Sequence, residues 1–447
     1  MTSNSSATVG PETIDAALSR LARYHPKKID LSLGRLERLL DALGRPQDRL
    51  PPTIHIAGTN GKGSTAAFLM AISQAAGERV HVYTSPHLVR FNERIVLDGQ
   101  SVDDARLADT FARCEAANGD NPITFFEVTT AAAFLLFSET PADRLILEVG
   151  LGGRVDATNI VDAIECSIIT PVSYDHQEFL GDSLAEIAAE KAGIIKPGTP
   201  VIVGRQALEA RAVIDKASML MSSPIAVIDE DFRAYPEHGR LVYEEDDLLL
   251  DLPAPGLIGP HQFDNAALAI KAARLCKYTD AAISQGIERA RWPARLQRLT
   301  KGALADAAHA AGAELWLDGG HNRGAAEVLA AALGTMDETG DRPLVLISAF
   351  STNKDARSYF EVFSDLAARV IAISFGGGRE GSKSALQTAQ DARAAGIPAQ
   401  TSAGIIEAIH DGLQDHVRPR LVICGSLYLA GEVLSFDDTL GVQSTPG

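Results

Sequence analysis

Cysteine is scarce in this sequence of 447 residues: Cys114, Cys166, Cys276 and Cys424 stand far apart and form no C-x-x-C pair. That excludes a disulfide framework and a thiolate zinc site, and it suits a reducing compartment. Positive charge is also short. With 41 Lys and Arg against 58 Asp and Glu the formal charge is −17, which argues against general affinity for a phosphate backbone or an anionic membrane surface but leaves room for a local basic pocket. Long apolar runs are missing as well. The densest, 131–137, is far too short to cross a bilayer, and the first ten residues carry no basic residue and lead into no apolar run. No internal repeat is visible. These absences predict a cytoplasmic protein with neither a nucleic-acid nor a membrane partner.

What is present reads as folded. Hydrophobic residues make up 46% and charged residues 22%, too apolar for disorder, and the length allows two or three domains. Short β-branched runs ending in Gly-rich turns alternate with Ala-rich helical stretches, the pattern of βαβ units and a largely parallel sheet. Strands are predicted at 53–57, 80–83, 144–149, 166–170 and 200–203, with helices at 63–76, 101–116, 127–138, 183–192 and 207–217. A short β excursion with an acidic turn is predicted over 225–252, followed by helices at 263–276 and 279–291. Trp292-Pro293 interrupts the helical pattern, since proline removes a donor and restrains its predecessor. The expected division is therefore 1–292 and 293–447. The second part, with strands at 315–318, 344–348, 370–375 and 421–424 and helices at 323–333, 355–368, 382–395 and 404–413, reads as a smaller open α/β domain.

After the first strand comes Gly58-Thr59-Asn60-Gly61-Lys62-Gly63-Ser64, leading into a helix. Glycines let the backbone turn several N–H groups inward, the helix N-terminus favours negative charge, and a lysine and a hydroxyl remain to meet phosphate and Mg²⁺. The spacing departs from the usual nucleotide loop, because Gly63 separates Lys62 from Ser64. Further on, Glu148 and His176 follow predicted strand ends, where an open parallel sheet binds ligands, and offer oxygen and imidazole donors beside a triphosphate. Read alone, Lys191 is a solvated helical charge, Asn265 a helix cap or a base contact, and Arg295 a surface ion pair or a phosphate fork. Phe125 and Phe126 could equally stack on a flat heteroaromatic ring or pack in the core.

The inserted glycine resembles that of Mur-type ATP-dependent amide ligases, and the residues around it narrow the likeness. The run 55–64, His-Ile-Ala-Gly-Thr-Asn-Gly-Lys-Gly-Ser, resembles folylpolyglutamate synthases and dihydrofolate synthases. So do the blocks 83–95, 124–127, 148–159, 190–194 and 425–428, which lie in that family's order over most of the chain. The resemblance implies an N-terminal P-loop-type doubly wound ATPase domain and a smaller C-terminal Rossmann-like α/β domain. It implies a ligase that joins glutamate to 7,8-dihydropteroate and to the γ-carboxyl of tetrahydrofolates, with ATP as substrate and an acyl phosphate between. A single-activity folylpolyglutamate synthase, a cell-wall Mur ligase and a non-catalytic nucleotide-binding protein are the alternatives.

The same resemblance assigns roles residue by residue. Gly58 to Ser64, Asn265, Arg295 and Asp318 would bind ATP, with Lys62, Lys191 and His176 catalytic. Ser85, Glu148 and His176 would hold Mg²⁺, and Lys191, carboxylated by CO₂, a second ion. His25, Lys28, Thr124, Phe125, Phe126, Glu127, Val155, Asp156 and Ala157 would hold pteroate or folate, and His321 would orient its loop or the incoming glutamate. At Gly320 and Arg323 the chain departs from the family's more common alanine and proline, which bears on loop geometry only. The resemblance also implies a monomer that closes about the linker before Arg295.

Overall fold

The computed structural model describes residues 14–21, 32–336, 342–376, 381–414 and 417–436. His25 and Lys28 lie outside the described residues.

The first strand, β1 (Thr53–Ala57), reads Thr-Ile-His-Ile-Ala and is buried at all five positions. A strand covered on both faces has no polar side to alternate with, which is why it reads as a nearly continuous apolar run. It lies inside a sheet made with β2 (Val80–Tyr83), β3 (Ile95–Leu97), β4 (Gln100–Ser101), β5 (Arg144–Glu148), β6 (Cys166–Ile169), β7 (Val201–Val203) and β8 (Ile225–Val227). The spatial order is β4-β3-β2-β5-β1-β6-β7-β8. Pairing is parallel from β2 to β8 and antiparallel at the β3–β4 edge.

The excursion predicted over 225–252 divides in two. Its first three residues pair in parallel with β7 and close the main sheet, while β9 (Phe232–Glu237), β10 (Arg240–Glu245) and β11 (Leu248–Leu252) form a separate antiparallel meander. A third sheet collects β12 (Gln297–Leu299), β13 (Glu314–Leu317), β14 (Leu344–Ser348), β15 (Ala367–Ala372), β16 (Ala399–Thr401) and β17 (Arg420–Cys424), ordered β12-β13-β17-β14-β15-β16. Only β12 runs antiparallel there. The helix predicted at 355–368 stops at Glu361, and β15 begins at Ala367, because pairing with Leu344 captures a stretch whose alanines read as helical. The short β12, β16 and helix Ala303–Ala310 were not legible in the periodicity.

The α/β plan follows from how the sheets are covered. Helices Lys62–Ala75, His261–Leu275 and Asp280–Arg289 pack Phe68, Ile72, Leu268 and Ile283 onto Ile54 and Ile56 of β1. On the opposite face, helices Asp104–Asn118 and Phe125–Glu139 bring Phe111 and Phe134 against Leu145 and Leu147 of β5. The third sheet is likewise buried on both sides. No helix among the described residues is long and apolar enough to cross a membrane.

Candidate active site

The C-terminal ends of β1, β2, β5 and β6 carry Gly58 to Gly61, Ser85, Glu148 and His176, and those of β13, β14 and β17 carry Asp318, Lys354 and Ser426. This is the side on which open α/β sheets bind ligands. Between β1 and its helix the chain makes the turn with Gly58 at φ +148° and Gly61 at φ +94°, and Lys62 is the first helical residue. At Gly61 a Cβ would approach Asn265 Oδ1 to 2.5 Å, and at Gly63 it would meet Trp292 Nε1 at 3.0 Å. The unusual glycine thus marks where Trp292 packs on the loop helix. Thr59 ties the loop to the segment after β6: its N–H donates to Pro171 O and its hydroxyl to Ser173 O. Beneath the loop, Asn265 donates to Gln262 Oε1 at 3.0 Å, and Gln262 donates to Ser64 Oγ at 3.4 Å.

Lys62 donates to Gly58 O and Thr59 O at 3.1 and 3.2 Å, with Glu148 Oε1 3.9 Å away. Glu148 is buried, and desolvation pushes its carboxyl up while the charges of Lys62 and Arg295 pull it back. The Ser85 N–H donates to its other oxygen at 3.3 Å. Lys191, in the last turn of helix Leu184–Ala192, is buried rather than solvated and donates to Gly58 O at 3.1 Å. Burial first, then the Lys62 charge, lowers it to about 7, so much of the amine is neutral near neutrality.

A polar clasp joins the two large sheets across the loop. Asn60 and Asn322 exchange amide hydrogen bonds at 3.1 and 3.2 Å. Asp175 receives Lys354 Nζ at 2.6 Å and Asn322 Nδ2 at 3.0 Å, and His321 Nε2 lies 3.3 Å away. Burial alone would raise Asp175, but the hydrogen bond from His321 and the Lys354 ammonium beside it hold it well below the usual carboxylate range. Beside it, His176 takes a left-handed φ of 51° and is lowered to about 4 by burial, leaving a neutral imidazole. Asp318 accepts from the N–H groups of Leu296 and Gly320 at 2.9 and 2.8 Å, so its carboxylate braces the backbone beside Arg295. Ala294 and Leu296, at φ 54° and 41°, flank Arg295, whose Nη1 donates to Ala294 O.

Next to this cluster lies a cavity of about 320 Å³. Ser85, Thr124, Phe126, Glu127, Val155, Asp156, Ala157, His176 and His321 line it. Phe125 does not: it is buried in the core, edge-on to Phe91 at 5.9 Å, one helical step round from Phe126. Glu127 is committed to structure. It closes the capping box with Thr124 and forms a two-pronged ion pair with Arg35, at 2.9 and 3.1 Å. Two lining cations escaped the sequence reading, Lys354 just past β14 and the half-buried Arg94, which donates to His87 Nδ1 at 2.9 Å. The strand-end position of Lys354 was the available signal.

A phosphate loop opening beside a carboxylate, a neutral histidine and a buried lysine, with an acceptor-sized cavity adjoining, describes an ATP-dependent amide ligase. Residues 56–273 match the Mur ligase middle domain, and residues 303–436 match the dihydrofolate synthetase C-terminal domain. Folylpolyglutamate synthase of Lacticaseibacillus casei is 33% identical, with 89% of this chain and 92% of that protein covered. Among solved structures, Escherichia coli FolC in complex with DHPP and ADP superposes with a TM-score of 0.85 at 29% identity, covering 95% of this chain and 97% of that one. The bifunctional folylpolyglutamate synthase/dihydrofolate synthase of Yersinia pestis complexed with AMPPNP and Mn ion gives 0.84 at 30% identity, covering 95% and 98%. The chain belongs to the folylpolyglutamate synthase/dihydrofolate synthase family and is an ATP-dependent glutamate ligase.

Proposed function

We propose that this ligase adds L-glutamate both to 7,8-dihydropteroate and to the γ-carboxyl of tetrahydrofolates, through an acyl phosphate. The observation that carries this reading is the position of Ser85, which lines the cavity and also donates its N–H to Glu148 beside Lys62. A carboxylate at that end of the cavity adjoins the end of a triphosphate held by Gly58 to Ser64, with Asn265, Arg295 and Asp318 toward the nucleoside.

The acceptor carboxylate oxygen attacks the γ-phosphorus, ADP leaves, and the deprotonated amine of glutamate then attacks the acyl carbon. Phosphate departs with the carboxylate oxygen. The protein's part is positioning and charge stabilisation. Lys62 faces the transferred group, His321 and the cations Arg94 and Lys354 face carboxylates, and Val155, Asp156, Ala157 and Phe126 hold the acceptor's flat end.

The nucleotide and Mn ion of the Yersinia pestis relative support ATP and a divalent cation for this chain. Ser85, Glu148 and His176 fit Mg²⁺: a buried carboxylate, a hydroxyl and a neutral imidazole suit an ion that keeps water and phosphate oxygens as its other ligands. Among the described residues no three His, Cys, Asp or Glu side chains gather as a metal site. Bound there, Mg²⁺ supplies neutralisation of the triphosphate charge. The half-neutral amine of Lys191 is suited to carboxylation by CO₂, which would give the second ion its ligand; a crystallographic map showing bare ammonium with both ions bound would contradict this. The division at 292/293, a monomeric state, a cytoplasmic location and the absence of nucleic-acid or membrane partners belong to the same proposal.

Glutamate-dependent ADP release, measured in turn with dihydropteroate, tetrahydrofolate and a UDP-muramoyl peptide, tests it. Turnover with the first two and none with the third is expected. Turnover with the muramoyl acceptor alone, or nucleotide binding without amine-dependent release, would overturn it.

A further inference from the structure

His55 stands in the middle of β1, wholly buried between β5 and β6, and takes no part in the phosphate chemistry. Its Nε2 lies 2.9 Å from Thr158 Oγ1. Thr158 donates its hydroxyl to Asp156 Oδ1 at 2.6 Å, and its backbone N–H donates to the same oxygen at 2.9 Å. A hydroxyl has one proton, and here the carboxylate takes it, so the histidine must donate from Nε2 and carry its proton there. Burial lowers His55 to about 3, which keeps the ring neutral at working pH. Nδ1 is then buried with no hydrogen-bond partner. A half-satisfied imidazole at the centre of a sheet costs stability, where valine or leucine would cost none. What it reaches is the cavity: Asp156 is 3% exposed, lines it, and takes the Leu151 N–H on its other oxygen at 2.8 Å.

We propose that His55 is a positioning residue for the acceptor substrate: through Thr158 it holds the Asp156 carboxylate, and with it the cavity-lining turn Val155 to Ala157 that this carboxylate braces, in the shape that receives the flat heterocyclic end of the acceptor. The proposal rests on the reading of the cavity as the pteroate and folate site. Asp156 takes the Thr158 hydroxyl and N–H on one oxygen and the Leu151 N–H on the other, so it ties the two ends of the turn together, and Thr158, itself free to rotate its hydroxyl, keeps that bond only if its oxygen is engaged from behind.

KM values for dihydropteroate, ATP and glutamate, measured on folded variants, test this. Thr158→Val and His55→Leu should raise the dihydropteroate KM tenfold or more while the other two KM values stay within twofold. Thr158→Ser and His55→Gln, which keep the hydroxyl and an N–H donor, should stay near the parent. Adding His55→Leu to Thr158→Val should change the KM less than twofold further, because both break one chain. A folded His55→Leu protein with unchanged dihydropteroate KM overturns the proposal, as does a variant in which all three KM values and kcat worsen together. Asp156→Asn separates the two readings: no effect there contradicts the cavity assignment itself, whereas a raised KM there with unaffected His55→Leu and Thr158→Val contradicts only the role of His55. If His55→Leu fails to fold, the Thr158→Val and Thr158→Ser pair decides, and equal KM values for the two overturn the proposal.

Discussion

Lys62 rests on two carbonyls of its own loop, 3.9 Å from Glu148, and so already lies where a transferred phosphoryl group would need a cation. Lys62→Ala is expected to leave the melting temperature nearly unchanged and to lower kcat by about 10³-fold or more, as the loss of a preorganised charge in such a site does. His55 supports a pH prediction. It is lowered to about 3 in the folded chain from 6.5, so between those values the unfolded chain binds the extra proton and stability rises with pH. Its contribution is complete above 6.5 and is lost as pH falls toward 3, at up to about 1.4 kcal/mol per pH unit. Urea unfolding between pH 6.5 and 5 should therefore show a shallower loss of stability in His55→Gln than in the parent. At this scale the sequence was legible where a motif is local, as in Gly58 to Ser64. It was not legible for Phe125 against Phe126, which differ only in the turn of one helix, nor for Lys354, whose partner Asp175 lies 179 residues away.

Helix Phe125–Glu139 begins on a reciprocal cap between Thr124 and Glu127, and the same Glu127 carboxylate holds Arg35. The residues at this helix start that line the cavity are therefore fixed before any ligand arrives. Removing one partner of a mostly buried pair strands the other, so Glu127→Ala should destabilise by about 2–4 kcal/mol in urea unfolding. Glu127→Gln, which keeps the capping acceptor, should cost less. A Glu127→Ala protein of parental stability but raised acceptor KM would show that this side chain serves the ligand and not the helix. Elements were legible in proportion to their burial: β1, β5 and β14 announce themselves as apolar runs, while three-residue edges such as β12, with Gln297 and Arg298, carry no period to read. The main-sheet strand β8 was read as part of the excursion because its place is set by pairing with β7 and not by its own composition.

For the whole molecule, the deficit of positive charge sets where cations must be. ATP, pteroate or folate, and glutamate are all anions, and they approach a chain of formal charge −17. Lys62, Arg94, Arg295 and Lys354 are the local answer, and the Asn60–Asn322 exchange and the Asp175 clasp hold the two large sheets together. Divalent cation should supply the rest: ATP affinity by calorimetry is expected to fall at least about tenfold when EDTA replaces Mg²⁺. Equal affinity in both conditions would contradict the assignment of Ser85, Glu148 and His176.

On this mechanism the cavity and the phosphate loop share one carboxylate, which is first phosphorylated and then aminated. Dihydropteroate labelled with ¹⁸O in its carboxylate tests it directly, by mass spectrometry of the phosphate released as glutamate is joined. One labelled oxygen in phosphate for each amide formed is expected. Unlabelled phosphate, or label recovered in AMP, would contradict the mechanism.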